Sequence, residues 1–177
     1  EKNGNIYPTH GLGPVAQYMN LCRSEDNFHK IVSYSSPALG RNQYSKENLN
    51  DSNPWKYISF ENGDINNSII KTKLGRTILV QWDETSPRPY TRLNLIQGTR
   101  GILAGFPTRV ALENGFEDIT KDHHSWIQND DLIRLYEKYD HPLYKKLNER
   151  TAKSGHGGMD GIMMYRIVEC LQKGLPL

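Results

Sequence analysis

An α+β fold, with a mostly antiparallel open sheet covered on one face by helices, is what this sequence predicts, and three observations predict it. Short segments of period two follow one another from Phe28 to Glu113. The links between them are a few residues long, and strands joined so briefly pair antiparallel. From Trp126 onward the apolar residues recur at helical spacing instead. The 177 residues fit one domain, 1–177, and are long enough to bury a core.

The stretch Thr77 to Gly101 reads as two strands joined by a proline-locked loop. Ile78, Val80 and Trp82 alternate with Leu79, Gln81 and Asp83, as in a strand with both faces partly covered. Leu93 and Leu95, with Arg92 and Asn94, repeat the pattern beyond Ser86-Pro87-Arg88-Pro89. The two prolines fix φ and force the residues before them into extended conformations, which places Tyr90 at the head of the second strand. A stiff loop ending in a phenol suits a ligand, and the alternative is a tyrosine that covers a hairpin edge.

The opening, Glu1 to Asn20, holds a second informative stretch. Pro8 forces Tyr7 to be extended, and Gly13-Pro14 reads as a helix entrance, so Tyr7 and His10 are expected on a constrained loop just before a helix. Gly11 to Ala16 spells G-x-G-x-x-A, the dinucleotide fingerprint, but follows Tyr-Pro-Thr-His rather than an apolar strand and is rejected as a Rossmann turn. Phe28 to Ser35 then reads as a strand, Pro37 to Leu49 as a polar helix, and Trp55 to Phe60 as a short strand or extended segment. Asn67 to Lys73 reads as a strand hairpinned to the one at Ile78 through Leu74-Gly75-Arg76. Ile102 to Phe106 and Arg109 to Glu113 continue the strands. A helix follows Asn129-Asp130, a second opens at Pro142, and a third follows the break Lys153 to Gly158, with Met159, Ile162, Met163, Arg166, Ile167 and Cys170 on one side and Gly174 at its end.

Composition removes several function classes. Twenty-two basic against twenty acidic residues, with no Lys/Arg stripe, argue against nucleic acid. No apolar run reaches the length of a membrane span, and no signal core is visible at the start. Cys22 and Cys170 read as two free thiols. His123, His124 and His156 match no HExxH or similar spacing, so no metal is assigned. No G-x-S-x-G elbow, P-loop or kinase signature occurs, which leaves Tyr7, His10 and Tyr90 as the site candidates.

Three stretches carry a resemblance: Tyr7-Pro8-Thr9-His10-Gly11-Leu12-Gly13-Pro14-Val15, then Thr85-Ser86-Pro87-Arg88-Pro89-Tyr90 with Gln97-Gly98-Thr99, and Gly155-His156-Gly157-Gly158-Met159-Asp160. Together they resemble the C-terminal part of glycoside hydrolase family 109, the NAD-dependent α-N-acetylgalactosaminidases of the Gfo/Idh/MocA oxidoreductase superfamily. The family's N-terminal Rossmann domain has no counterpart here, so the chain is expected to be a substrate-binding and catalytic C-terminal fragment, inactive alone, with NAD bound mainly by the domain it lacks. Gly161 stands where the resemblance implies an aromatic residue.

The resemblance implies that Tyr7, Pro8, Thr9 and His10 contact the sugar, that Tyr7 also reaches the dinucleotide, and that Tyr90 contacts the sugar; His10 and Tyr90 are in addition expected to be catalytic. The substrate implied is a terminal α-linked N-acetylgalactosamine. The implied chemistry is oxidation of the sugar 3-hydroxyl by NAD⁺, elimination of the aglycone after loss of the C2 proton, addition of water and return of the hydride, an exception to the two-carboxylate glycosidase mechanism. Two alternatives stand beside it: a sugar oxidoreductase of the same superfamily, and a non-catalytic carbohydrate-binding or assembly module, the sheet being the surface through which a homo-oligomer would form. The sequence does not report its compartment, although bacterial relatives are often exported.

Overall fold

The computed structural model describes residues 3–121 and 124–176, so His123 lies outside the described residues. The chain forms two compact units, Glu1–Ile96 with Ala104–Phe106, and Gln97–Leu103 with Pro107–Leu177. The fold is α+β with antiparallel pairing, and its strands are divided between two sheets.

In the first unit, β1 (Phe28–Ser35), β2 (Ile65–Thr72) and β3 (Thr77–Asp83) form a three-stranded sheet in that order, both pairs antiparallel. The link from β2 to β3 turns at Gly75, whose φ of 88° is a conformation glycine adopts without strain. Period two sends Asn66, Ser68, Ile70 and Thr72 of β2 and Ile78 of β3 to one buried face. Helix α1 (Thr9–Tyr18) covers it: Leu12, Val15, Ala16 and, at the helix end, Met19 recur at i, i+3, i+4 and i+7 and pack on Leu21, Ile70, Ile78 and Val80. The buried polar groups on this face are satisfied by one another. Asn66 Nδ2 donates to Ser33 Oγ and Ser35 Oγ, each at 2.9 Å, and Ser68 Oγ donates to Asn66 Oδ1 at 3.0 Å.

Among the described residues, that face is the covered one. Leu79 is 68% exposed beside Val32 and Ile69 in register, which corrects the expectation that β3 has both faces partly covered: α1 offers a single apolar stripe, and it is spent on the Ile78 side. The helix also begins earlier than Gly13-Pro14 suggests. Pro8, with φ −75° and ψ −13°, is already helical in conformation, and its carbonyl accepts from the amides of Gly11 (3.1 Å) and Leu12 (2.8 Å). Thr9 and His10 therefore sit in the first turn of α1, while Pro14 lies inside the helix, where it removes the donor for the His10 carbonyl.

The end of α1 is tied to the β2–β3 turn by Asp26, which is fully buried. Its carboxylate accepts from the Leu74 amide at 2.9 Å, from Arg76 Nε at 2.9 Å and from the Asn27 amide at 3.0 Å, while Arg76 Nη2 also donates to the Met19 carbonyl. Burial pushes the Asp26 carboxyl up, and the Leu74, Arg76, Thr72 and Asn27 donors outweigh it and hold it at about 2, below its ordinary 3.8. A folded-state value below the unfolded one contributes stability that is present above pH 3.8 and lost as pH falls toward 2. Asp26→Asn is accordingly expected to lower the melting temperature at neutral pH by several degrees, with the gap to the parent closing as pH falls from 3.8 toward 2. Thermal unfolding across that range checks it, and a gap independent of pH would return Asp26 to a packing role.

Two other segments correct the sequence reading. Pro54–Tyr57 is a short 3-10 helix rather than a strand, because Asn53 caps it by accepting from the Trp55 amide and Pro54 opens its first turn. The expected hairpin from Thr77 to Gly101 does not form: β3 pairs with β2, and β4 (Leu95–Gly98) belongs to the other sheet. Pro87 and Pro89 cannot donate to a ladder, and Leu93 adopts φ 41°, so the chain from Glu84 to Asn94 is irregular and Tyr90 sits in a loop rather than at a strand head.

The second sheet runs β4, β5 (Gly101–Ala104), β6 (Arg109–Leu112), β7 (Ile127–Gln128), with Val110 opposite Ile127. Helix α3 (Asp131–Tyr139) brings Leu132 and Leu135 against Phe116 and the fully buried Ile127, flanked by Val110, Leu112 and Ile119. Helix α4 (Pro142–Thr151) opens at Pro142, with the His141 ring accepting from the Leu143 amide, and α5 (Met159–Lys173) ends at Gly174 in the left-handed region. Along α5, the side predicted to carry Met159, Ile162, Met163, Arg166, Ile167 and Cys170 is graded: Cys170 is buried, Ile162 and Ile167 are half-buried, and Met159, Met163 and Arg166 are exposed. The close approach lies at Gly161, where an added Cβ would meet Ser154 Oγ at 2.6 Å and Thr151 Cγ2 at 2.8 Å, so the aromatic residue expected there does not fit this α4–α5 packing. Cys22 and Cys170 are free thiols, as predicted. Among the described residues, no helix is long and apolar enough to cross a membrane.

Candidate functional site

The turn into α1 brings Tyr7, Pro8, Thr9 and His10 together. Tyr7 and His10 lie one helical turn apart, and their side chains meet: Tyr7 Oη is 3.3 Å from His10 Nε2, and the rings make an edge contact at 4.9 Å. Both are exposed, Tyr7 at 50%. The Tyr7 ring also meets Trp82, whose ring lies edge-on at 6.1 Å, and the Tyr7 backbone is tied by its amide, which donates to Asn5 Oδ1. Trp82 in turn donates from Nε1 to Glu84 Oε2 at 3.3 Å, and Glu84 forms an ion pair with Arg41 of helix α2 (Leu39–Asn48). A phenol and an imidazole sharing one hydrogen bond, both open to solvent, can bind a ligand hydroxyl and move a proton between the two heavy atoms.

Tyr90 occupies a different set of contacts, and among the described residues no hydrogen bond or ring contact joins it to Tyr7 or His10. It is 71% exposed, with its ring edge-on to Phe106 at 6.2 Å. Arg92 Nε donates to Tyr90 Oη at 2.7 Å, which leaves the phenolic proton as the group Tyr90 offers to a ligand. The loop leading there is latched at its start by Asp83, whose carboxylate accepts from Arg88 Nε at 2.8 Å and from the Ser86 amide at 3.2 Å. Burial raises the Asp83 carboxyl, and the Arg88 and Ser86 donors outweigh it and keep it below the usual carboxylate range.

Sequence reasoning missed Trp82 as the neighbour of Tyr7, and Glu84 and Arg41 as the groups behind Trp82. The signal was present in part: Trp82 and Glu84 are two residues apart at the end of a strand, so they share a face. As for a dinucleotide, Gly11 to Ala16 lie within α1 rather than in a strand-to-helix turn, so this stretch is no phosphate cradle. Among the described residues, no group of three or more His, Cys, Asp or Glu side chains could hold a metal ion.

Comparison with known proteins agrees with the motifs. The model of the family described as glycosyl hydrolase 109, C-terminal domain, matches residues 1–177. The chain is 57% identical over 182 residues to glycosyl hydrolase family 109 protein 1 of Akkermansia muciniphila, with 100% of the chain and 37% of that protein covered. It is 58% identical over 180 residues to protein 2 of the same organism, covering 99% of the chain and 37% of the relative. With a glycosyl hydrolase family 109 protein of Shewanella baltica it shares 51% over 178 residues, 100% of the chain against 38% of the relative. The chain thus spans less than two fifths of the length of these curated relatives. On the match along its whole length and these identities, the chain belongs to glycosyl hydrolase family 109 and corresponds to its C-terminal domain.

Proposed function

We infer that the protein carrying this chain is a glycosidase that removes terminal α-linked N-acetylgalactosamine with the help of NAD⁺. The observation that carries the reading is the exposed Tyr7–His10 pair, joined at 3.3 Å, on the domain that the family match identifies. Bound NAD⁺ would supply a reversible hydride sink at the sugar 3-position, the chemistry no side chain provides. The chain's own residues orient and move protons. Tyr7 presents its phenolic oxygen to a sugar hydroxyl, and His10 Nε2 takes or returns the proton that passes through that oxygen. Tyr90, its oxygen already accepting from Arg92, donates its own proton to a sugar oxygen and fixes the orientation of the ring. Pro8 and Thr9 set the entry angle of the helix that carries this pair.

The test is removal of the cofactor. Stripped of NAD⁺, the full-length protein is expected to lose hydrolysis of an aryl α-N-acetylgalactosaminide by at least about a hundredfold, and to recover it when NAD⁺ is added back although no net oxidation occurs. Release of the sugar at an undiminished rate by cofactor-free protein would overturn the reading.

A further inference from the structure

Below the Trp82–Glu84 contact the first unit contains a cleft of about 540 Å³, within the range of ligand pockets. It is lined by Arg41, Tyr44 and Ser45 of α2, by Trp55 and Phe60, and by Glu84 and Thr85 beyond β3. We propose that this cleft is a second sugar subsite, which takes a neutral hexopyranose ring of the glycan beyond the residue that is cleaved. The proposal rests on the glycosidase reading above for the identity of the cleaved sugar, but the cleft's own chemistry specifies its occupant.

Trp55 is 57% exposed and lies nearly parallel to the half-buried Phe60, ring centres 6.3 Å apart and planes inclined by 16°. The indole is thereby backed by Phe60 and more than half exposed, a platform on which the apolar C–H face of a pyranose stacks. The floor is rigid. Asn42 of α2 brackets Phe60, its Oδ1 accepting from the Phe60 amide at 2.8 Å and its Nδ2 donating to the Phe60 carbonyl at 3.0 Å. The start of α2 is fixed by Asp64, which accepts from the Leu39 amide at 2.9 Å and the Gly40 amide at 3.1 Å. The same cleft is lined by a planar guanidinium and a planar carboxylate, Arg41 and Glu84, while the Ser45 and Thr85 hydroxyls are spent inside the protein, on the Asn42 carbonyl and on Asp64. Planar polar groups beside an aromatic ring match a molecule with hydroxyls around its rim and C–H bonds on its face. Because the two charges are already paired, a neutral ligand is favoured over a charged one, and a purely apolar ligand would bury the ion pair without replacing its water.

Continuity with the first site comes through one residue. Trp82 touches Tyr7 on one side and donates to Glu84 on the other, so a glycan whose end lies at Tyr7 and His10 has its next ring directed along Trp82 to the Glu84 wall.

The experiment compares two substrates of the full-length protein, an aryl α-N-acetylgalactosaminide and a neutral trisaccharide ending in the same sugar. Trp55→Ala is expected to lower the ratio of trisaccharide to aryl-glycoside kcat/KM about tenfold, Tyr44→Ala to lower it in the same direction, and Trp55→Phe to restore most of it, since a phenyl ring keeps the platform. An unchanged ratio in Trp55→Ala and Tyr44→Ala would overturn the subsite while leaving the glycosidase reading intact. If the parent protein cleaves neither substrate, the glycosidase reading has failed, and titration of its tryptophan fluorescence with the trisaccharide decides the cleft separately. Saturable quenching that Trp55→Ala abolishes supports the subsite, and no difference between the two proteins removes it.

Discussion

Turnover of an α-N-acetylgalactosaminide by the full-length enzyme in D₂O is expected to place deuterium at C2 of the released sugar in nearly every molecule. In the route proposed above, oxidation of the 3-hydroxyl to a ketone would make the C2 proton acidic, and that proton would leave before the aglycone. Water would then add at C1 of the enone and a solvent deuteron would be taken up at C2. The hydrogen restored at C3 would be the one first removed, so C3 would keep protium. A direct displacement at C1 touches neither bond. The same sequence predicts weak dependence of the rate on leaving-group ability when oxidation or C2 deprotonation is slow. Mass spectrometry with fragment assignment is the measurement, and a product without deuterium at C2 would sink the elimination route and require a carboxylate pair of the conventional kind.

The parts of this fold that were legible in the sequence are those fixed by local chemistry. Phe28–Ser35 is a strand with the predicted bounds, and α3, α4 and α5 start and stop where Asn129-Asp130, Pro142, the glycine-rich break and Gly174 place them, because caps and turns act over only a few residues. The hairpin of Asn67–Lys73 with the strand at Ile78 was legible for the same reason, since its turn is short. What the sequence misassigned depends on distant partners. Nothing local decides whether β3 pairs onward to β4 or ends its sheet, and the latch of Asp83 on Arg88 and Ser86, with Leu93 in the left-handed region, is what turns the chain away.

The site followed the same division. Tyr7 and His10 stood out because a proline and two glycines flank them, although their contact depends on α1 beginning at Thr9, earlier than the Gly13-Pro14 signal implied. Arg41 and Tyr44, three residues apart on one helix, gave no sign of lining one cleft with Glu84, about forty residues away in sequence. Tyr90 was legible as an exposed phenol after a proline lock, whereas its tie to Arg92 and Phe106 required the structure.

In the full-length enzyme, His10→Ala is expected to lower kcat/KM about 10² to 10³-fold, and Tyr7→Phe by a comparable factor, each with little change in melting temperature. Both side chains are exposed, and substitutions at such positions typically change stability by less than about 0.5 kcal/mol, so packing loss cannot account for an effect of that size. The decisive quantity is the double variant. Tyr7 Oη and His10 Nε2 share one hydrogen bond, so removing either group leaves the other without the partner that receives or supplies its proton. Two groups acting as one unit give a double variant scarcely worse than the more damaged single one, whereas two independent contacts give the product of the factors. The pH profile supplies a second readout: if His10 moves the proton, the limb of kcat/KM that belongs to it disappears in His10→Ala, which loss of a mere contact would not do. Additive losses with an unaltered pH profile would make Tyr7 and His10 separate sugar contacts, and a fall in melting temperature with normal activity would return both to holding the start of α1.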